Sequence, residues 1–349
     1  MELLAAAALA AFVSALVCAS LIGAGPIDAP NLERKQHRAP TPTSGGIGIA
    51  SGFAAALIAL ALAADVWSDS LSAQSAHLLT AVAFFSYAFL IIGFYDDAHP
   101  LGPRLKLLLF VAAAGFAAAA IGPTHKLPFG WATLRFSYPG AVIGSALWIF
   151  AMVNFTNFMD GANGLAMGMM TIGLATLGAI GVLLGSPISA ALAFSVAGAL
   201  VGFLVWNFPG GRLFAGDSGA LFVGALAALA SLLLIRRTGV SPFVPAMIFL
   251  PTIVDASLTL IWRLSRRRSM LEGHSEHVYQ IALRAGWPHW RVSLVYWLVT
   301  AGCCAVALAV AFDASQVSPP IALLALTFVL VIASGQIRSA ALKRGIAEV

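Results

Sequence analysis

The sequence predicts an all-α integral membrane protein with about eleven transmembrane helices. Of its 349 residues, 60% are hydrophobic and only 9% are charged, and the mean hydropathy is +0.93. A chain with so few polar residues cannot cover the surface of a soluble globule. Its apolar runs are about 20 residues long, which is the length that a helix needs to cross a bilayer. These observations exclude a soluble enzyme.

The apolar runs are predicted to form one transmembrane domain, residues 1–349. The first run has no basic flank before it, so we interpret it as a transmembrane helix and not as a cleavable signal peptide. Cys18, Cys303 and Cys304 all fall within apolar runs, which argues against a disulfide framework or a zinc site. Alanine-rich stretches such as LAAAALAAF favour close helix packing in lipid. The predicted spans lie near 3–23, 46–64, 77–95, 107–122, 139–157, 164–184, 188–206, 217–235, 241–262, 291–312 and 320–337.

The basic residues predict how the chain is oriented. Eleven spans would place the two termini on opposite sides of the membrane. Of the 19 Lys and Arg residues, only Lys126, Arg135, Arg236 and Arg237 fall in the loops of one face, and the others fall on the opposite face. Because Lys and Arg concentrate in cytoplasmic loops, we predict an outer N-terminus and a cytoplasmic C-terminus.

Acidic residues gather at the same predicted cytoplasmic face. The stretch GFYDDAHPLGPRLK places two adjacent carboxylates at the end of the third span, where charge inside hydrocarbon would be costly. Carboxylates near Lys, Arg and His suit a divalent cation such as Mg²⁺ that bridges phosphate oxygens. The residues in this set are Asp96, Asp97, Asp160, Asp217 and Asp255, with His37, His274 and His277.

Two of the polar stretches allow more than one interpretation. In NFPGGRLFAGDSG, Asp217 begins a span between Gly216 and Gly219, where it could approach a ligand or could only cap its helix. In NFTNFMDGANGLA, asparagines surround Asp160 in a turn that could read the edges of a nucleotide or could be an ordinary turn.

The last large loop, RLSRRRSMLEGHSEHVYQ, is the most basic part of the chain. Arg266, Arg267 and Arg268 could orient the neighbouring spans or attract anionic lipid. His274 and His277 would share one face if the loop were helical. Their position near the carboxylates favours phosphate binding or proton transfer over a purely solvated role.

Five motifs in this order resemble one family, the polyprenyl-phosphate N-acetylhexosamine-1-phosphate transferases of glycosyltransferase family 4. These are relatives of the phospho-N-acetylmuramoyl-pentapeptide transferase of peptidoglycan synthesis. The resemblance runs from residue 28 to about residue 285. The motifs are DAPNLERKQHRAPTPTSGGIGI, GFYDDAHPLGPRLK, NFTNFMDGANGLA, NFPGGRLFAGDSG and PTIVDASLTLIWRLSRRRSMLEGHSEH. They place the catalytic loops near 24–45, 96–106, 157–164, 207–217 and 263–290.

The resemblance implies a reaction at the cytoplasmic face of the inner membrane of a bacterium. Undecaprenyl phosphate would attack the β-phosphate of a UDP-N-acetylhexosamine and give undecaprenyl-diphosphate-sugar and UMP, with Mg²⁺ or Mn²⁺ required. By this resemblance Asp217 is the metal ligand and Phe214 stacks on uracil. The implied catalytic residues are Asp96, Asp97, Asp160, His274 and His277, and the implied substrate-binding residues are Lys35, Arg104, Asn157, Asn163, Asn207, Phe214 and Arg263.

Four residues depart from the family pattern. Asn163 stands where many relatives have a second aspartate, and Arg104 and Lys106 exchange the usual order of Lys and Arg. Glu276 in HSEHVYQ replaces a further histidine. That form resembles the branch that begins O-antigen or a related lipopolysaccharide or cell-surface polysaccharide. Its expected donors carry a 6-deoxy sugar such as N-acetylfucosamine or N-acetylquinovosamine.

Other functions remain open at this point. A GlcNAc-1-phosphate transferase or the muramoyl-pentapeptide transferase itself would share most of the motifs. A secondary transporter would instead show ionisable groups near mid-membrane and paired interrupted helices, a pattern that the sequence lacks. The expected partners are the two substrates, membrane lipid and a second copy of the chain in a homodimer, with no nucleic acid.

Overall fold

The computed structural model describes residues 1–23, 27–28, 41–63, 73–268, 276–312 and 317–346, most of which are helical. The predicted all-α fold class is confirmed. Lys35 and His274 lie outside the described residues. The first half of the chain contains α1 (Glu2–Leu21), β1 (Ile27–Asp28), β2 (Thr41–Pro42), α2 (Gly45–Leu62), α3 (Ala73–Ala98), α4 (Pro103–Ile121), β3 (Lys126–Pro128), β4 (Thr133–Arg135) and α5 (Tyr138–Met159).

The second half of the described chain is entirely helical apart from its connections. Its elements are α6 (Leu165–Leu183), α7 (Pro187–Asn207), α8 (Gly216–Thr238), α9 (Phe243–Ile248), α10 (Leu250–Ser265), α11 (Val278–Arg284), α12 (His289–Ala311) and α13 (Pro319–Lys343). The strands form two antiparallel pairs, β1 with β2 and β3 with β4.

Ten helices of the described residues are long and apolar enough to cross a membrane. They correspond to ten of the eleven predicted spans. The remaining one, 241–262, is not a single helix, because the chain breaks at Phe249 into α9 and α10. Pro251 explains the break. It has no backbone N–H to donate to the preceding turn, and it lies in the first turn of α10, where no such donor is needed.

Helix α10 has a polar inner face and an apolar outer face. Thr252, Asp255, Thr259 and Arg263 are buried against the protein. Leu264, on the opposite face, is 64% exposed. This arrangement suits a helix that meets lipid on one side and carries functional groups on the other.

Helix α8 is the centre of the bundle. Its apolar window is 94% buried, whereas the corresponding windows of α1 and α13 are 22% and 17% buried. It packs against α3, α5 and α6. The first turn of α8 therefore lies at the point where several helix ends converge.

Small residues let α1 approach α7 closely. A Cβ added at Gly198 would lie 2.2 Å from the carbonyl oxygen of Ala7, and one added at Gly202 would lie 2.2 Å from that of Ala11. The two glycines are four residues apart and form the G-x-x-x-G spacing that permits close backbone contact in membranes. The alanine-rich sequence of α1 is the matching surface.

We expect Gly202→Ala to destabilise the protein because its new methyl group meets the backbone of α1. The free energy of unfolding should fall by about 1–3 kcal/mol, as in other overpacked interiors. Gly144→Ala is the matched control, since no atom lies within 4 Å of a Cβ added there. Thermal unfolding in detergent compares the two variants. Equal melting temperatures would contradict the α1–α7 contact.

Candidate active site

Lys106 joins two of the predicted acids. Its Nζ lies 2.6 Å from Oδ2 of Asp96 and 2.6 Å from Oδ2 of Asp217. Asp96 also accepts a hydrogen bond from the backbone N–H of Leu101 at 2.7 Å. Because the side chains of Lys106 and Asp217 are 24% and 30% exposed, the ion pair remains open to solvent and to a ligand.

Asp97 caps the central helix. Its two carboxylate oxygens accept hydrogen bonds from the backbone N–H groups of Asp217 at 2.9 Å and Ser218 at 3.0 Å. These N–H groups lie in the first turn of α8, where helices have unpaired donors and a positive dipole end. The residue that caps α8 is therefore Asp97 from α3, and the carboxylate of Asp217 points elsewhere.

Gly216 allows this capping contact. It has a φ of +71°, and a Cβ at this position would lie 2.7 Å from Oδ2 of Asp97 and 2.4 Å from the carbonyl oxygen of Thr43. Only glycine combines this backbone conformation with so close an approach. Gly216 therefore makes room for the carboxylate of Asp97 and the backbone of Thr43.

Asn157 and Asp160 complete the group that we call the acid cluster, namely Asp96, Asp97, Asp160 and Asp217 with Lys106 and Asn157. Asn157 donates from Nδ2 to Oδ1 of Asp217 at 2.8 Å. Asp160 ends α5. Burial raises the pKa of Asp160 well above its usual range, and the negative charges of Asp217 and Asp97 raise it further.

The predicted nucleotide turn lies beside the acid cluster. Gly164 has a φ of +76°, and its N–H donates to Oδ1 of Asn207 at 2.6 Å. Asn207 in turn donates from Nδ2 to the carbonyl oxygen of Leu213 at 2.9 Å. Asn163 donates from Nδ2 to the carbonyl oxygen of Pro209 at 3.0 Å. Side chains of both asparagines therefore join this turn to the loop that leads into α8.

Phe214 lies at the end of that loop, and its backbone is held by residues from the start of the chain. Its N–H donates to the carbonyl oxygen of Pro42 at 2.8 Å, and its carbonyl accepts from the N–H of Gly45 at 2.9 Å. Phe214 as a residue is half-buried. These two hydrogen bonds fix its backbone.

Asp255 accepts hydrogen bonds from the start of α11, just as Asp97 accepts them from the start of α8. Its carboxylate accepts from the backbone N–H of Val278 at 3.0 Å and from the hydroxyl of Tyr296 at 2.6 Å. His277, directly before α11, has its Nδ1 3.4 Å from Oδ1 of Asp255. Tyr279 donates its hydroxyl hydrogen to the carbonyl oxygen of Phe158 at 3.1 Å, which ties α11 to the end of α5.

Glu276 forms ion pairs with two arginines. Arg263 donates from Nη1 to Oε2 of Glu276 at 2.8 Å, and Arg268 pairs with Oε1. Burial raises the pKa of Glu276, but these two guanidinium groups outweigh it and hold the pKa below its usual range. Glu276 is therefore a carboxylate at neutral pH, and Arg263 is engaged with it.

Comparisons with known proteins agree with this assembly of motifs. The family model of glycosyl transferase family 4 matches residues 79–235. A phospho-N-acetylmuramoyl-pentapeptide-transferase of Moorella thermoacetica is 30% identical over 277 residues, which cover 74% of this chain and 81% of that protein. A probable undecaprenyl-phosphate N-acetylglucosaminyl 1-phosphate transferase of Bacillus subtilis is 28% identical over 285 residues, 79% of this chain and 74% of that protein. The chain belongs to glycosyl transferase family 4.

This family 4 chain brings several of its predicted site residues together, and two further residues, Lys106 and Asp255, have contacts that the sequence analysis did not predict. Arg104 is exposed, whereas Lys106 reaches the acids. Asp255, which was noted only as one of the acids, holds the segment that contains His277. In the sequence, Asp255 is an isolated acid within an apolar run. Because such an acid is costly in a membrane unless it is paired, this pattern could have indicated that Asp255 has partners.

The acid cluster of this family 4 member has donors that fit Mg²⁺. In the described part of the chain, no group of three His, Cys, Asp or Glu side chains has the arrangement of a complete metal site. Mg²⁺ is commonly held by one or two carboxylates together with substrate phosphates and water. The partly exposed carboxylate of Asp217 meets that requirement.

We expect Lys106→Met to destabilise this family 4 protein, because it leaves Asp96 and Asp217 without their shared cation. The free energy of unfolding should fall by about 1–3 kcal/mol. Arg104→Met is the matched control and should change it by less than about 0.5 kcal/mol, since Arg104 is exposed. Denaturation of both variants in detergent measures the difference. Similar losses in both would show that the ion pair does not stabilise the fold.

Proposed function

We propose that the chain transfers an N-acetylhexosamine-1-phosphate group from a UDP-sugar to undecaprenyl phosphate. An oxygen of the lipid phosphate attacks the β-phosphorus of the donor. The bond from that phosphorus to the bridging oxygen breaks, and UMP leaves with the bridging oxygen. The products are undecaprenyl-diphosphate-sugar and UMP. The observation that carries this proposal is the convergence of the acid cluster and the asparagine-rich turn at helix ends of a membrane bundle.

Asp217 is the proposed ligand of Mg²⁺ or Mn²⁺. A divalent cation would supply neutralisation of the charge on the phosphate oxygens during transfer. Asn157 and Lys106 orient the Asp217 carboxylate by bonding one oxygen each. Asp217 is therefore held in one direction before substrate arrives.

The two adjacent aspartates have different proposed roles. Asp96 holds Lys106 beside the lipid phosphate. Asp97 positions Asp217, because both of its oxygens already accept hydrogen bonds from α8. Phosphoryl transfer depends mainly on positioning and charge neutralisation, so it does not require a free carboxylate base at this position.

The turn that contains Asn163, together with Phe214, forms the proposed uridine site. Phe214 stacks on uracil, while Asn157, Asp160 and Asn207 support the turn. Contact with the phosphates and the sugar stays a prediction for Lys35, Arg104, Arg263, His274 and His277, of which Lys35 and His274 lie outside the described residues. In this proposal the site faces the cytoplasm at the bacterial inner membrane.

Two donor classes are compatible with the site. Glu276, which replaces a histidine of the closing motif, favours a 6-deoxy sugar such as N-acetylfucosamine or N-acetylquinovosamine and a role in starting O-antigen or a related polysaccharide. The relative from Bacillus subtilis, named as a probable N-acetylglucosaminyl 1-phosphate transferase, favours UDP-N-acetylglucosamine. Glu276 forms ion pairs with Arg263 of α10 and with Arg268.

Purified protein should release UMP when it is given undecaprenyl phosphate and the correct donor. The panel is UDP-N-acetylfucosamine, UDP-N-acetylquinovosamine, UDP-N-acetylglucosamine and UDP-N-acetylmuramoyl-pentapeptide. Release should require Mg²⁺ or Mn²⁺ and should stop when a chelator is added, because the phosphates need a cation. A folded protein that turns over none of these donors would refute the proposed reaction.

Asp217→Asn should lower kcat by at least about 100-fold, since it removes the charge of the proposed metal ligand. Glu2→Gln, at an exposed position at the start of α1, is the control for loss of a carboxylate and should keep full activity. Both proteins are compared for membrane insertion and melting temperature before kinetics. Near-normal turnover by Asp217→Asn would remove Asp217 from the metal role.

A further inference from the structure

Helix α12 presents three side chains to the nucleotide turn. His289, Ser293 and Trp297 are spaced four residues apart, so they lie on one face of the helix. The N–H of Asn163 donates to Nδ1 of His289 at 3.2 Å, and the hydroxyl of Ser293 donates to the carbonyl oxygen of Asn163 at 2.7 Å. The indole N–H of Trp297 donates to the carbonyl oxygen of Gly164 at 3.0 Å.

These contacts complete the hydrogen bonding of the turn. The remaining backbone group, the N–H of Gly164, donates to Asn207 at 2.6 Å. All four backbone polar groups of Asn163 and Gly164 are therefore bonded by side chains from other elements. A turn with asparagine and glycine has wide conformational freedom, and these bonds select one conformation of it.

The missing side chain at Gly168 leaves a notch in α6, and Trp297 packs into this notch. A Cβ added at Gly168 would lie 2.0 Å from Nε1 of Trp297, so the indole lies directly against the helix backbone. A Cβ added at Gly164, four residues earlier, would lie 2.5 Å from Cδ2 of Phe208. The ring of Phe208 in turn packs against Trp297, with 4.7 Å between the ring centroids. Gly164 and Gly168 thus set the position of the indole and of its N–H donor.

We propose that His289, Ser293 and Trp297 are positioning residues that hold the turn at Asn163 and Gly164 in the shape that binds the uridine monophosphate part of the donor. This inference rests on the proposed function, because it takes the turn to be the nucleotide site. All three residues lie beyond residues 79–235, the part matched by the family model. Their contribution is pre-organisation, since a turn fixed in advance loses less entropy when ligand binds.

The first test removes single donors or acceptors from α12. Trp297→Phe keeps an aromatic ring but lacks the N–H, and Trp290→Phe, at a 45% exposed position of the same helix, is its control. His289→Ala removes the acceptor, whereas His289→Asn places a carbonyl oxygen near the position of Nδ1 and should restore binding. The measured quantities are the Kd of UMP, the KM of undecaprenyl phosphate and the melting temperature.

The second test displaces the indole without changing it. Gly168→Ala introduces a methyl group into the notch, and Gly302→Ala is the matched control because no atom lies within 4 Å of a Cβ added there. Gly168→Ala and Trp297→Phe should both raise the Kd of UMP by about two- to tenfold, the effect expected from one lost hydrogen bond. The KM of undecaprenyl phosphate should differ from the wild-type value by less than about twofold, which is the smallest effect expected from one lost hydrogen bond.

The outcomes separate this inference from the proposed function. If wild-type protein neither binds UMP nor turns over a UDP-sugar, the proposed function fails and the inference fails with it. If wild-type protein binds UMP and the variants bind it equally well, only the inference is overturned. It is also overturned if the melting temperature falls while the Kd of UMP and the KM of undecaprenyl phosphate rise together, or if His289→Asn behaves like His289→Ala, because either result indicates a structural role alone.

Discussion

The capping of α8 by Asp97 is the interaction on which the candidate site depends. The carboxylate satisfies two backbone N–H groups that have no partner within the helix. It also brings a negative charge to the positive end of a buried helix. With its own helix capped from α3, Asp217 is free to direct its carboxylate to Lys106 and Asn157. A change at Asp97 would therefore move the proposed metal ligand as well as the helix end.

The described chain contains two helix ends that are capped by an acid from another helix. Asp255 of α10 accepts hydrogen bonds from the first turn of α11, much as Asp97 accepts them from α8. In both cases the acid stands on one helix and the donors belong to another, so each contact fixes a helix end relative to a neighbour. Such contacts suit a membrane protein, because water is scarce near buried helix ends and each polar group needs a protein partner. They also place charged groups at one face of the bundle.

The sequence was sufficient to predict the fold class, ten of the spans and the convergence of acids at one face. These features depend on the hydropathy of each segment and on the cost of placing a charge in hydrocarbon, and both can be judged one segment at a time. It did not predict the break at Phe249, although Pro251 was visible, because a proline can also bend a continuous helix. The contact of Arg104 with phosphate stays a prediction, whereas the ion pairs of Lys106 with Asp96 and Asp217 were not predicted, since family order alone does not show which side chain turns inward. The contacts of α12 were not predicted either. They join residues more than 100 positions apart, and only the packing of α6 against α12 brings them together.

The charge balance of the acid cluster bears on how it would receive substrate. As defined by the described residues, the cluster has four carboxylates and the single ammonium of Lys106. Burial raises the pKa of Asp160 well above its usual range, and repulsion from Asp217 and Asp97 raises it further. Two phosphate-bearing substrates would add further negative charge at the same place. Cations that arrive with them would offset this charge, which fits a metal that Asp217 and the phosphates hold jointly better than one held by protein ligands alone. The capping by Asp97 then matters most to this proposal, because a ligand set completed by the substrate would require the carboxylate of Asp217, the proposed ligand, to point the right way in advance.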